Sequence, residues 1–107
     1  MKHKSILSLL ILGLILMAQS LALQANPSEK SLKQLTVNCV QCHAVPSTGA
    51  PIMGDTAKWK SIFQKGKDTV FRNVVYGING MPPRGYCSSC SEKDLRELIH
   101  LISGIQE

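Results

Sequence analysis

The chain has 107 residues, twelve Lys/Arg against seven Asp/Glu, a formal net charge of +5, and four cysteines. At that length it holds one small domain, too short to stabilise itself by an apolar core alone, so a staple, a metal or a large cofactor is expected. The positive balance is no nucleic-acid footprint, because neither an arginine-rich run nor interleaved aromatics accompany it.

Residues 1–25 read as an address. Lys2, His3 and Lys4 give a positive start, an apolar run follows from Leu9 to Ala18, and the small residues of "AQSLALQAN" offer cleavage after Ala22 or Ala25. That order is the pattern of a secretory signal peptide. An uncleaved membrane anchor is the other reading, since Ile6 to Leu23 comes close to spanning length. Gln19, Ser20 and Gln24 interrupt the apolar run where cleavage would fall, which favours removal and export to the periplasm. No cysteine stands at either site, against a lipid-anchored precursor. Without its first 25 residues the chain keeps 82, residues 26–107, with ten Lys/Arg and seven Asp/Glu and so a net charge of +3. Lys58, Lys60, Lys65, Lys67 and Arg72 cluster mid-chain, while Glu92, Asp94 and Glu97 lie near the end. Such asymmetry can steer a charged partner, although each lysine singly also suits a solvated helix face.

In chain order the pattern predicts an all-α domain of about four short helices. Asn26, Pro27 and Ser28 open the first, with Leu32, Leu35 and Cys39 on one face, running to about Gln41. The segment "AVPSTGAPIMG", residues 44–54, reads as loop. Asp55 caps a short second helix that shows Trp59, Ile62 and Phe63 on one side, and Gly66 breaks it. A third helix starts at Lys67 or Asp68, carries Val70, Phe71, Val74 and Val75, and stops at Gly77. "GINGMPPRGYCSSC" cannot be helical, with three glycines and Pro82-Pro83. Ser91 with Asp94 resembles a capping box, opening a last helix with Leu95, Leu98, Ile99 and Ile102 that Gly104 closes.

The cysteines form two C-x-x-C pairs, Cys39/Cys42 and Cys87/Cys90. In an oxidising compartment free thiols do not persist, so each pair is expected to be bonded to something. A shared zinc site is disfavoured, because 44 residues separate Cys42 from Cys87, beyond ribbon spacing. A catalytic dithiol belongs at the start of a helix in a strand–helix fold, whereas this first pair ends a helix in a chain without strands. The third reading accounts for His43 too: in C-x-x-C-H two thiols form thioethers with the haem vinyls and the histidine ligates iron. A covalently held haem would also supply the core that 82 residues lack. A low-spin electron carrier then needs a ligand on the other face, commonly methionine. After the signal only Met53 and Met81 are available. Met81 follows the third helix in "NGMPPRG", where glycines let the backbone approach and two prolines stiffen the loop. Met53 is expected to pack near the pocket.

With these residues placed, the chain resembles the class I c-type cytochromes, and within them the cytochrome c5 group. The resemblance rests on "CVQCHA", on "GAP" followed by "GD" at residues 49–55, on "NGMPP" and on "CSSCS", and covers roughly Ser28 to Gly104. It implies a small cytochrome c fold wrapped around one haem c, and a Cys87–Cys90 disulfide beside the Met81 loop; a working redox disulfide is the other reading of that pair. It implies that the Pro51 carbonyl accepts a hydrogen bond from the His43 ring nitrogen not on iron, and that Trp59, Phe71 and Tyr76 line or flank the haem. The expected function is a periplasmic one-electron carrier and no enzyme, exchanging electrons with redox protein donors and acceptors in the periplasm or respiratory chain. The contacts would be transient, through a Lys58/Lys60/Lys65/Lys67 face. A membrane enters only if the signal stays uncleaved. The alternative is a haem peroxidase or sensor subunit with a labile sixth ligand.

Overall fold

Ser28 opens the first helix, its side chain accepting a hydrogen bond from the Ser31 amide at 3.0 Å. Helix α1 runs Glu29–Gln34 in the computed structural model, which describes residues 26–106. The expected signal peptide over residues 1–25 lies outside the described residues. Beyond Gln34 the backbone widens into a π turn, Leu35–Cys39, closed by the Val40 amide donating to the Leu35 carbonyl. Helix α2, Val40–His43, follows. The expected unbroken helix to Gln41 is thus a helix, a wide turn and a further helical turn. The reason lies in polar side chains that bond back to the helix carbonyls. Thr36 Oγ1 donates to Leu32 O at 2.9 Å and Asn38 Nδ2 to Gln34 O at 3.0 Å, a competition that loosens helical geometry. The extra residue resets the register, so Leu32 does not share the inner face with Cys39. Leu32 is 47% exposed, while Ser31, Gln34 and Leu35 are buried.

A 3₁₀ turn at Pro46–Thr48 shapes the loop that follows. Asp55 caps α3, Thr56–Phe63, by accepting from the Lys58 amide at 3.1 Å. Helix α4 is Lys67–Tyr76 and ends at Gly77, whose φ of 82° and ψ of 157° only glycine adopts readily. An isolated antiparallel bridge pairs Ile78 with Met81, and Asn79 closes the turn between them at φ 52°. A second 3₁₀ turn covers Pro83–Tyr86. The capping box at Ser91 and Asp94 is present and opens α5, Glu92–Ser103.

Helix α5 packs on α1 and α4, and α4 packs on α3 and on the Pro83–Tyr86 turn, which also touches the π turn. The apolar stripes face inward: Leu35, Trp59, Leu95, Leu98 and Ile102 form the core together with Cys87 and Cys90. Among the described residues there is no helix long and apolar enough to cross a membrane. Elements read as separate amphipathic helices thereby enclose one central space.

Candidate functional site

That space is a cavity of about 570 Å³, and Cys39, Cys42, His43 and Met81 all line it. Val70, Val74, Leu95, Leu98 and Ile99 supply apolar wall. The first three chemical groups arrive together because Cys39 ends the π turn and Cys42 and His43 follow on α2, the helical turn next to it. Met81 arrives from the far side of α4, set by the Ile78 bridge, whose two hydrogen bonds measure 3.2 and 2.9 Å.

His43 is buried, and its Nδ1 donates to the Pro51 carbonyl at 2.7 Å. A ring whose Nδ1 donates to a carbonyl presents a bare Nε2, the form that ligates a metal. Three more contacts hold the Pro51 segment still. The Met53 amide donates to the His43 carbonyl at 2.7 Å, Trp59 Nε1 donates to Ile52 O at 2.9 Å, and the Gly54 amide donates to Ile102 O at 3.1 Å. The Trp59 ring lies 5.8 Å from the His43 ring, centroid to centroid, tilted by 32°. His43 therefore has a fixed orientation before any ligand reaches it.

Cys39 and Cys42 form no disulfide, and the first is half-buried and the second exposed. Burial pushes the Cys39 thiol up to about 11, so it is neutral at pH 7. A catalytic dithiol needs the opposite shift, toward thiolate. Cys87 and Cys90 are joined to each other, with Cα atoms 5.4 Å apart. Neither is free to complete a four-cysteine zinc site with the first pair, and no cluster of three or more His, Cys, Asp or Glu exists among the described residues. The residues present fit a haem instead: a large apolar cavity, two thiols and an oriented imidazole at one end of a helix, and a thioether on the same cavity.

Of the other expected pocket residues, Pro51 and Trp59 line the cavity. Phe71 and Tyr76 do not. Phe71 packs against the core beside α5, with the Arg96 guanidinium 4.0 Å above its ring. Tyr76 is 75% exposed at the end of the same helix. The inner stripe of α4 is Val70 and Val74, four residues apart, and Phe71 and Tyr76 fall outside it. Met53 is not on the cavity either and is partly exposed. Of the four lysines, Lys58 and Lys65 reach the cavity rim, and all four are exposed.

Asn38, Gly85 and Tyr86 are among the cavity residues that were not anticipated. Tyr86 is 82% exposed and has φ 64°, so no hydrophobic periodicity marks it. Its place between Met81 and Cys87 was the only available signal.

Comparison with known proteins gives a consistent picture. Residues 27–102 match the family described as "Cytochrome C oxidase, cbb3-type, subunit III". The chain is 44% identical over 70 residues to cytochrome c5 of Ectopseudomonas mendocina, covering 64% of this chain and 80% of that one. It is 36% identical over 69 residues to cytochrome c5 of Azotobacter vinelandii, covering 63% and 83% respectively. A chain in the crystal structure of an electron transfer complex of nitrite reductase with cytochrome c superposes with a TM-score of 0.64 at 29% identity, covering 74% of this chain and 96% of that one.

Proposed function

We propose that this chain, which belongs to the class I c-type cytochromes and within them to the cytochrome c5 group, carries single electrons with His43 and Met81 as its axial ligands. The family fixes the coarser statement: one covalently bound haem c, a monohaem electron carrier, and redox proteins as partners. The residue assignments and the compartment are our reading.

When bound, the haem supplies one iron that cycles between two oxidation states. Cys39 and Cys42 would hold it through two thioether sulfurs. His43 offers Nε2, oriented by the Nδ1 hydrogen bond to Pro51. Met81 offers a soft sulfur, which raises the potential relative to a second histidine. Val70, Val74, Leu95 and Leu98 keep water from the site. With His43 and Met81 both on the iron, no coordination site would stay open for oxygen or peroxide, which favours the carrier over a peroxidase or sensor. Cys87 and Cys90 act as a clasp beside the Met81 loop. Residues 1–25 export the chain to the periplasm, and residues 26–107 form the working domain. Lys58 and Lys65 on the cavity rim, with Lys60 and Lys67 nearby in sequence, offer a positive face to an acidic redox partner.

The observation that carries this reading is the convergence of Cys39, Cys42, His43 and Met81 on one apolar cavity. The test is an absorption spectrum with redox titration, and a haem-stained denaturing gel. A carrier shows the weak near-infrared band of sulfur-to-iron ligation and ignores low concentrations of CO. Its haem stays on the polypeptide through the gel, less so in Cys42→Ala. Rapid CO binding to the reduced protein, or a colourless protein with stoichiometric zinc, would overturn the assignment.

A further inference from the structure

We propose that Arg84 is a positioning residue for the Met81 sulfur, acting through a clamp between the Met81 loop and the Cys87–Cys90 turn. The inference rests on Met81 being an iron ligand.

Arg84, Gly85 and Tyr86 have φ values of 58°, 57° and 64° in succession. Two of the three carry side chains that disfavour this left-handed region, and such a run persists only where its surroundings hold it. Arg84 provides the hold. Its Nε donates to the Cys87 carbonyl at 3.3 Å, and its Nη2 donates to the Cys90 carbonyl. A planar guanidinium can reach two carbonyls at once, which a single ammonium cannot match. The backbone closes the same ring of contacts: the Cys87 amide donates to Arg84 O at 3.0 Å, and the Cys90 amide to Cys87 O at 3.3 Å. Among the described residues no salt bridge involves Arg84, so its charge serves the two carbonyls.

This clamp reaches Met81 in one step. The Gly85 amide donates to the Pro82 carbonyl at 3.0 Å, tying the turn to the residue next to Met81. Gly85 is buried, and the position of a Cβ on it lies 3.9 Å from Met81 Cε and 3.6 Å from the Asn38 carbonyl. The turn that Arg84 holds therefore lies beside the methionine terminus, with room for little more than a methyl group between them. Release of the guanidinium frees Arg84–Tyr86 to leave the left-handed region, and the wall beside the Met81 methyl goes with it.

The experiment titrates the oxidised holoprotein with imidazole, which competes for the methionine's place. It follows loss of the near-infrared sulfur band, with far-UV circular dichroism and a urea unfolding curve taken on each variant. Loss of one such hydrogen bond corresponds to about a threefold change in an equilibrium constant, and loss of both to about tenfold. Arg84→Ala is expected to bind imidazole about tenfold more tightly while helical signal is intact. Arg84→Lys, which can serve one carbonyl, is expected to shift by about threefold. An Arg84→Ala protein with a lowered urea midpoint but an unchanged imidazole affinity has lost only stability, and the inference fails. If Arg84→Ala does not accumulate, an unchanged affinity in Arg84→Lys is the overturning result. Met81→Ala runs in parallel. If it binds imidazole no more tightly than the unaltered chain, Met81 is not the ligand and the underlying reading fails. If it binds more tightly while Arg84→Ala does not, the positioning role alone fails.

Discussion

Replacing Gly77 by alanine puts a methyl group into the backbone of the Met81 loop. The added Cβ would stand 2.6 Å from Met81 O, 3.0 Å from Pro83 N and 3.2 Å from Pro82 C. All three neighbours are main-chain atoms, so no side chain can swing aside. The residue also sits at φ 82° and ψ 157°, a region that costs a non-glycine residue about 1–3 kcal/mol. Overpacking adds about 1–3 kcal/mol, for a total of about 2–6 kcal/mol if the loop holds its place. Gly104 is the control: its φ is 67° and nothing lies within 4 Å of its Cβ position. Gly104→Ala should lose only the left-handed penalty of about 1–2 kcal/mol. Urea unfolding followed by circular dichroism measures both, and the sulfur band is read on the same samples. The band in Gly77→Ala should vanish at lower urea than the helical signal, because relief of the clash moves the loop that carries Met81. Equal losses in the two variants, or an unaltered band in Gly77→Ala, would refute the reasoning.

Met81→Ala should abolish the near-infrared band and lower the reduction potential, whereas Met53→Ala should leave the spectrum unchanged, since Met53 is off the cavity. Serine at both Cys87 and Cys90 should lower the urea midpoint and keep the spectrum. The pair closes only a short loop, so the loss should be about 1–3 kcal/mol, and lost ligation would contradict a clasp. Asp94 is held well below the usual carboxylate range, first by the hydrogen bond from Lys30 and then by bonds from Ser91. Its stabilising effect is therefore full above the unfolded value near 3.8 and fades as pH falls toward the lower folded value. Asp94→Asn should be less stable than the unaltered chain at pH 7, with the gap narrowing below about pH 4; a gap constant with pH would show that the charge plays no part.

The helices were legible because their signals are local. Asp55, Ser91 and Asp94 cap where caps were read, and Val70, Val74, Leu95, Leu98 and Ile102 face inward as their spacing requires. The cysteine and histidine spacing likewise brought its three groups to one cavity. The π turn was not legible. It arises from Thr36 and Asn38 bonding back to carbonyls, a choice that propensity and hydrophobic period do not register. That turn explains why Ser31 and Gln34 are buried where Leu32 was expected. Phe71 and Tyr76 were expected at the haem from the family resemblance, which does not fix which side of α4 a ring occupies. Arg84 went unnoticed because its role depends on a left-handed run that only the folded loop reveals.

Removal of both thioether anchors, in Cys39→Ala/Cys42→Ala, bears on how folding and cofactor binding are joined. Trp59, Leu95, Leu98 and Ile102 are core residues and cavity walls at once. A domain of this size has few other apolar side chains to bury, and each fully buried Leu or Ile contributes about 1.5–3 kcal/mol. If the cavity opens to water, even half of that contribution from four walls is about 3–6 kcal/mol, comparable to the whole stability of a small domain, about 5–15 kcal/mol. Of the hydrogen bonds that orient His43 and the Pro51 segment, all but that from the Gly54 amide to Ile102 O stay within residues 43–59, so local structure near α2 can outlast the packing of α5. The double variant, produced without retained haem, should therefore keep part of its helical circular dichroism. It should lose cooperative unfolding and gain binding of a hydrophobic dye. A sharp urea transition at the unaltered chain's midpoint would show that the walls close on each other without the ring. In that case the cavity residues would owe their packing to the helices alone, and the shortage of core inferred from 82 residues would be mistaken.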